Sequence, residues 1–160
     1  MIQMAKEFGN AIKLARESGF DCVEVHAGHG YLISQFLSPY TNRRKDKYGG
    51  SLDNRMNFMR MCMNEVMEAA KDDMAIIAKT NMSDGFKGGN GIEEGIVIAK
   101  ELEKLGVNEI YAYATHTENS ILDREKGTLI KDLENNTVKM LFTTNSLFNG
   151  EHDKIVVIEV

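Results

Sequence analysis

The sequence has little of what marks several large classes of protein. It has only two cysteines, Cys22 and Cys62, which lie far apart and show no metal-ligand spacing, so no disulfide framework or zinc site is indicated. No apolar run approaches the length of a membrane span. The net charge is −5 and no block of lysine and arginine occurs. We therefore expect no membrane or nucleic-acid partner, and reduced thiols in a cytoplasmic protein.

What is present is the pattern of a globular α/β protein. The 160 residues are 42% hydrophobic and 27% charged, which is ordinary for one folded domain. Helical and strand patterns alternate along the chain, and this alternation is typical of a parallel sheet covered by helices. The predicted elements are a helix that ends at Gly19, strands at 22–26, 75–80 and 108–114, and helices at 31–37, 51–70 and 92–105.

The first strand and the long helix after Ser51 predict which faces are buried. In the strand, Val23 and Val25 should pack on helices, while Cys22, Glu24 and His26 point the other way, towards the interior of a barrel. Ser51 is a good N-cap. The inner stripe of its helix should consist of Arg55, Phe58, Met59, Cys62, Val66 and Met67.

The residues with the most chemical potential follow the first strand. His26 ends the strand, and His29 and Tyr31 follow within the run His-Ala-Gly-His-Gly-Tyr. In parallel α/β barrels, reactive residues gather where the strands end. Two imidazoles there could donate hydrogen bonds to one oxygen, and a tyrosine could deliver a proton. Such a set suits reduction of a carbonyl-conjugated double bond. For the histidines alone, structural hydrogen bonding is the commoner role at a strand end, and half of a metal site also stays open, although no nearby cysteine or carboxylate completes a familiar set.

A much longer run contains these residues. From His26 to Arg55 the sequence reads HAGHGYLISQFLSPYTNRRKDKYGGSLDNR, and it resembles the signature of the old yellow enzyme family. It is most similar to the bacterial branch of NADH:flavin oxidoreductases that contains 2-enoate and 2,4-dienoyl-CoA reductases. The resemblance begins near the first helix, includes the segment 78–84 and the pair Gly88-Gly89, and continues to about Ala112.

The resemblance implies a function and a role for each matched residue. His26 and His29 would bind the activating oxygen of the substrate, and Tyr31 would deliver the proton. Lys79 would face N1 and the C2 carbonyl of the flavin. The implied cofactors are FMN, with NADH or NADPH as reductant, and the substrate is a small molecule with an activated double bond. Tyr48, Gly49, Gly50 and Arg55 also match, and we interpret them as mainly architectural. The two glycines should allow a tight turn before the Ser51 cap, and Arg55 should anchor the long loop through hydrogen bonds.

The resemblance also predicts the fold and the domain organisation. Residues 1–114 should form part of a (β/α)8 TIM barrel, supplying its middle strands. A complete barrel needs about 250 residues. The missing strands could come from another chain that completes the barrel. Residues 115–160 depart from the pattern, and we expect an irregular, divergent tail with short strands at 138–142 and 155–159.

Two other functional hypotheses remain open from the sequence. The first is a truncated, non-catalytic barrel fragment that does not bind flavin by itself. The second is an unrelated metal-dependent barrel hydrolase that uses the two histidines. The glycine-rich segment 85–91 does not separate them, because it has neither the dinucleotide-binding nor the P-loop spacing and is better interpreted as a loop at the mouth of the barrel.

Overall fold

The computed structural model of the protein describes residues 1–106, 108–125 and 128–160. The chain divides into two compact units, Met1–Val107 and Asn108–Val160. The first unit contains α1 (Ile2–Glu17), β1 (Cys22–His26), α2 (Leu32–Leu37), α3 (Leu52–Ala70), β2 (Ala75–Lys79) and α4 (Ile92–Lys104). The second contains β3 (Tyr111–Ala114), a 3₁₀ turn (Asn119–Leu122), α5 (Thr128–Glu134), β4 (Met140–Thr144) and β5 (Ile155–Ile158). None of the helices in these described ranges is both long and apolar enough to cross a membrane.

Helix α1 packs its predicted apolar face against α3. Ala5 and Ile12 are buried, and Phe8 and Ala15 pack against the same core. After the helix, Gly19 adopts a left-handed φ of 83°, which glycine accepts without steric cost. The predicted helix and its stop are therefore confirmed.

Helix α3 is the centre of the first unit. The Ser51 hydroxyl oxygen accepts a hydrogen bond from the backbone N–H of Asn54 at 3.3 Å and caps the helix, as predicted. The buried side of the helix consists of Arg55, Met56, Phe58, Met59, Cys62, Met63, Val66 and Ala70. Met67, which we predicted for this stripe, is only half-buried, because the helical repeat places Met63 rather than Met67 between Met59 and Val66.

Strands β1 and β2 pair in parallel, with Cys22 opposite Ala75 and His26 opposite Lys79. Val23 and Val25 pack on the core, whereas Cys22 and Glu24 are exposed, as the alternation of β1 predicted. In β2, Ile76 and Ala78 face the same core, and Ala75, Ile77 and Lys79 are exposed. The sheet therefore has one face covered by helices and one open face that ends at His26 and Lys79.

The second unit is more regular than we expected. Strand β3 pairs in parallel with β4, and β4 with β5, over a core of Leu133, Leu141, Phe148 and Ile155. The prediction of an irregular tail was wrong. The polar residues around α5 conceal Ile130 and Leu133, which are both buried and lie three positions apart on one helical face. The two strands expected in the tail do occur.

The parallel α/β class is thus confirmed. We predicted β3 as the third strand of one parallel sheet with β1 and β2. It lies in a separate sheet, where it hydrogen-bonds to β4. The division between the two compact units falls before β3, whereas we placed a domain boundary after Ala114. The difference arises because β3 obtains its hydrogen-bonding partner from the C-terminal part of the chain.

Candidate active site

The three aromatic residues that we singled out lie together at the carboxyl end of β1. We call residues 26–31 the histidine loop. The ring of His26 lies 5.0 Å from that of His29, nearly perpendicular to it, and 4.9 Å from that of Tyr31 (centroid to centroid). The Nδ1 atom of His26 accepts the backbone N–H of Gly28 at 3.4 Å. In a neutral imidazole this places the ring hydrogen on Nε2, so that Nε2 can donate to a ligand.

The polar groups of His29 and Tyr31 are exposed and have free hydrogen-bonding capacity. Tyr31 is 62% exposed and His29 is exposed, whereas His26 is half-buried. Within the described residues, neither the Tyr31 hydroxyl nor the His29 ring makes a hydrogen bond. Both groups can therefore contact a ligand without breaking an existing bond.

Lys79 lies beside this group at the end of β2. It is opposite His26 in the parallel register, and its carbonyl accepts the backbone N–H of Ala27 at 2.7 Å. Its side chain is exposed and makes no ion pair or hydrogen bond with any residue that the structure describes. The structure thus places Lys79 next to the histidines and leaves its ammonium group free to interact with an anion.

A cleft of about 340 Å³ opens behind His29, between α2 and the segment that follows β2. It is lined by His29, Gly30, Ser34, Gln35, Ser38, Thr41, Asn81, Asp84 and Phe86. Two of these side chains hold the loop: the Ser34 hydroxyl accepts the Gly30 N–H, and Gln35 donates to the Gly30 carbonyl. Sequence reasoning missed Asn81. A signal was available, because Asn81 follows Lys79 by two residues and the ends of paired parallel strands meet at the same edge of a sheet.

The segment 38–50, which we call the anchored loop, is held at its two ends by Arg55 of α3. This buried guanidinium donates to the carbonyls of Leu37 and Gly50, both at 2.7 Å, and to Asn90 Oδ1 at 3.1 Å. Burial lowers the pKa of Arg55, and the nearby carboxylates of Glu94 and Asp84 oppose that effect. The prediction that Arg55 anchors the long loop through hydrogen bonds is confirmed.

The two glycines of the anchored loop form the predicted turn before Ser51. Gly50 has a left-handed φ of 83°. A Cβ atom at Gly49 would collide with the backbone of Arg44. Both positions therefore require glycine, for two different reasons.

The cysteines and the possible metal ligands complete the inventory of reactive groups. Cys22 is exposed on the open face of β1. Cys62 lies in the core, where burial raises the pKa of its thiol to about 12. Among the described residues, no group of three or more histidine, cysteine, aspartate or glutamate side chains is arranged to hold a metal ion.

Comparison with known proteins finds one family that matches nearly the whole length of the chain. The sequence profile of the NADH:flavin oxidoreductase / NADH oxidase family matches residues 1–158, so it includes the C-terminal residues that we expected to diverge. The chain is 42% identical over 112 residues to an NADH oxidase of Thermoanaerobacter brockii, and 41% identical over 108 residues to an NADPH dehydrogenase of Bacillus subtilis. These alignments cover 70% and 68% of this chain but only 17% and 31% of the relatives.

Two solved structures are similar to this chain in fold. A 2-naphthoyl-CoA reductase in complex with 2-naphthoyl-CoA is 28% identical, with a TM-score of 0.70 over 89% of this chain and 23% of that one. An old yellow enzyme homologue from Zymomonas mobilis is 21% identical, with a TM-score of 0.65 over 94% of this chain and 41% of that one. The second likeness concerns the fold alone.

Proposed function

Because this chain belongs to the NADH:flavin oxidoreductase / NADH oxidase family, we propose that the whole protein is an FMN-dependent ene-reductase with NADH or NADPH as reductant. Its substrates would be enones, enoates or enoyl thioesters. The observation that carries the proposal is the packing of His26, His29 and Tyr31 beside Lys79, where two paired strands end. The naphthoyl-CoA reductase among the similar structures supports a thioester as one substrate class.

The proposal includes a barrel, of which this chain would supply the middle strands. The open face of the β1–β2 sheet supports this, because Cys22, Glu24 and Ile77 are exposed there and would point inwards in a closed (β/α)8 barrel. The chain spans 17% to 31% of the length of the curated relatives compared above, so the activity of the whole protein belongs to the proposal.

The residues present fit one side of the FMN that this family uses. Lys79 is a cation without a partner among the described residues, and it is exposed at the end of the open sheet face. A fixed positive charge of this kind stabilises the negative charge that a reduced flavin gathers at N1 and the C2 carbonyl. Bound FMN would supply the hydride that NADH or NADPH delivers.

The histidines and the tyrosine would have separate roles towards the substrate. His26 and His29 would donate hydrogen bonds to the carbonyl oxygen and draw electron density from the conjugated double bond, which makes its β-carbon accept hydride. The Tyr31 hydroxyl would give its proton to the α-carbon, and the remaining phenolate would take a proton from solvent. A cytoplasmic location is also part of the proposal, supported by the two free thiols.

The experiment is to add FMN to the purified chain, remove the excess and then add NADH or NADPH anaerobically. We expect retained flavin, bleaching of its absorbance by the reductant, and recovery of the absorbance when 2-cyclohexen-1-one is added. Without flavin retention, the chain is a non-catalytic fragment when alone. Retention and bleaching without recovery would contradict the ene-reductase assignment but not the flavin site.

A further inference from the structure

The inference concerns Asn81, which lies two residues beyond β2. Its side chain is half-buried, and its Oδ1 atom accepts the backbone N–H of His29 at 3.3 Å. Two residues before His29 in the histidine loop, the Ala27 N–H donates to the Lys79 carbonyl at 2.7 Å. The loop that leaves β1 is thus held at two points by the segment that leaves β2.

Gly28 fits closely against the same asparagine. A Cβ atom at position 28 would lie 2.7 Å from Asn81 Oδ1 and 3.4 Å from Asn81 Cγ, so only glycine allows this approach. Gly28 is buried, and its N–H is directed to His26 Nδ1. The backbone between the two histidines is therefore confined between Asn81 and the ring of His26.

His29 has a backbone that needs such confinement. Its φ of 53° is left-handed, which is uncommon for a residue other than glycine and persists where surrounding contacts impose it. The His29 ring is exposed and contacts the ring of His26, so a shift of the His29 backbone would carry the ring away from that contact. We propose that Asn81 is a positioning residue, which fixes the histidine loop through the His29 N–H and its contact with Gly28 and thereby sets the separation of the two imidazoles.

The geometric part of this proposal is tested without flavin, by NMR of the full chain. In Asn81→Ala we expect the His29 amide signal to shift, its hydrogen exchange to accelerate at least tenfold, and the ring signals of both histidines to move. Asn81→Asp keeps an acceptor oxygen at this position, so the His29 amide should keep its slow exchange. The matched control is Asn135→Ala, because the exposed Asn135 also accepts a loop N–H, that of Thr137, at 2.9 Å in the second unit.

A double-mutant cycle tests the role of Gly28. Gly28→Ala alone should disturb the His29 amide and ring signals strongly, because the new methyl group displaces the Asn81 side chain. In the Asn81→Ala background the same substitution should have a much smaller effect. An equal effect in both backgrounds, or unchanged histidine signals in Asn81→Ala, would overturn the proposal.

The catalytic consequence of this positioning rests on the proposed function. With FMN present, binding of the neutral enone 2-cyclohexen-1-one to the full chain should weaken at least threefold in Asn81→Ala, with no change in the urea midpoint of unfolding. If the unsubstituted chain retains FMN but binds no enone, the proposed function fails, while the NMR comparison still decides the role of Asn81. If the enone binds equally well to both, Asn81 does not position the histidines for substrate.

Discussion

The histidine loop and the anchored loop are close in sequence and differ in how their polar side chains are used. The anchored loop is held by the buried Arg55 of α3, which has three hydrogen-bond acceptors, and its own Asn42 donates to the carbonyls of both Phe36 and Tyr48. In the histidine loop, the His29 ring and the Tyr31 hydroxyl are exposed and make no hydrogen bond within the described residues. One loop uses its polar groups to hold the fold, and the other leaves them free for a ligand.

This difference separates architectural from chemical residues within one sequence signature. A buried polar group that has all its partners stabilises the fold, and its removal leaves those partners unsatisfied. An exposed polar group without partners contributes little to stability. The following substitutions are ordered by their expected effect on stability, from the largest to the smallest.

Replacing Arg55 by methionine should have the largest effect. The methionine keeps much of the length of the side chain but leaves the Leu37 and Gly50 carbonyls and Asn90 without their donor, at a cost of about 3 kcal/mol or more. Two measurements test this: the urea midpoint of unfolding and the rate of hydrogen exchange of the α3 amides. Arg44→Met is the matched control, since Arg44 is largely exposed and pairs with Asp46, and it should lower stability far less than Arg55→Met. Equal losses in the two variants would contradict the anchoring role.

Replacing Ser51 by alanine should have an intermediate effect. The substitution removes the acceptor for the Asn54 N–H and should lower the free energy of unfolding by about 1 kcal/mol. Ser51→Asp keeps an acceptor and should retain most of the stability. The comparison is again the urea midpoint, with Ser18→Ala, which removes no side-chain cap from α1, as a control expected to change little.

A pH titration should reveal a smaller structural contribution, from α4. Arg60 donates to Glu101 at 2.6 Å, and this hydrogen bond lowers the pKa of the Glu101 carboxyl. A carboxyl with a lowered folded-state pKa stabilises the fold above the ordinary glutamate pKa, and that contribution is lost as pH falls through the folded value. Stability measured from pH 6 to pH 3 should therefore fall less steeply in Glu101→Gln than in Glu103→Gln, which alters an exposed carboxylate. Identical pH profiles would contradict the prediction.

Replacing Tyr31 by phenylalanine should change stability least. The hydroxyl has no partner among the described residues, so the unfolding free energy should change by less than about 0.5 kcal/mol. Loss of a proton donor should nevertheless slow enone reduction by the FMN-loaded protein roughly a hundredfold. Tyr40→Phe is the matched control, because Tyr40 is also exposed and packs on Phe86 outside the cluster. A marked loss of stability in Tyr31→Phe would place Tyr31 with the architectural residues, and an unchanged rate would contradict its role as proton donor.

The first unit could be predicted well from the sequence because local signals and packing agree there. The apolar spacing of α1, the cap at Ser51 and the alternation in β1 each indicated the structure that forms. The prediction was poorer in the second unit. Helix α5 is short and rich in polar residues, and β3 obtains its partner β4 from far along the chain, which no local pattern shows.

The candidate site was predictable where the chemistry is carried by residue type. His26, His29 and Tyr31 lie close in sequence, and Lys79 ends a predicted strand. Asn81 was missed because its contribution depends on a hydrogen bond to the backbone of His29, across 52 positions of sequence. Such a contact follows from the pairing of β1 with β2 and from the left-handed backbone of His29, neither of which residue type reveals.

The most direct test of the distinction between the two loops is a single pair of measurements on the full chain carrying His26→Ala and His29→Ala. With FMN present, we expect binding of 4-nitrophenol, a phenol whose oxygen mimics the activated carbonyl, to weaken at least about tenfold, as the loss of two hydrogen bonds predicts. The urea midpoint of unfolding should fall far less than in Arg55→Met, because one weak hydrogen bond, from the Gly28 N–H to His26, is lost. Unchanged nitrophenol binding, or a loss of stability comparable to that of Arg55→Met, would contradict the assignment of the histidines to ligand binding.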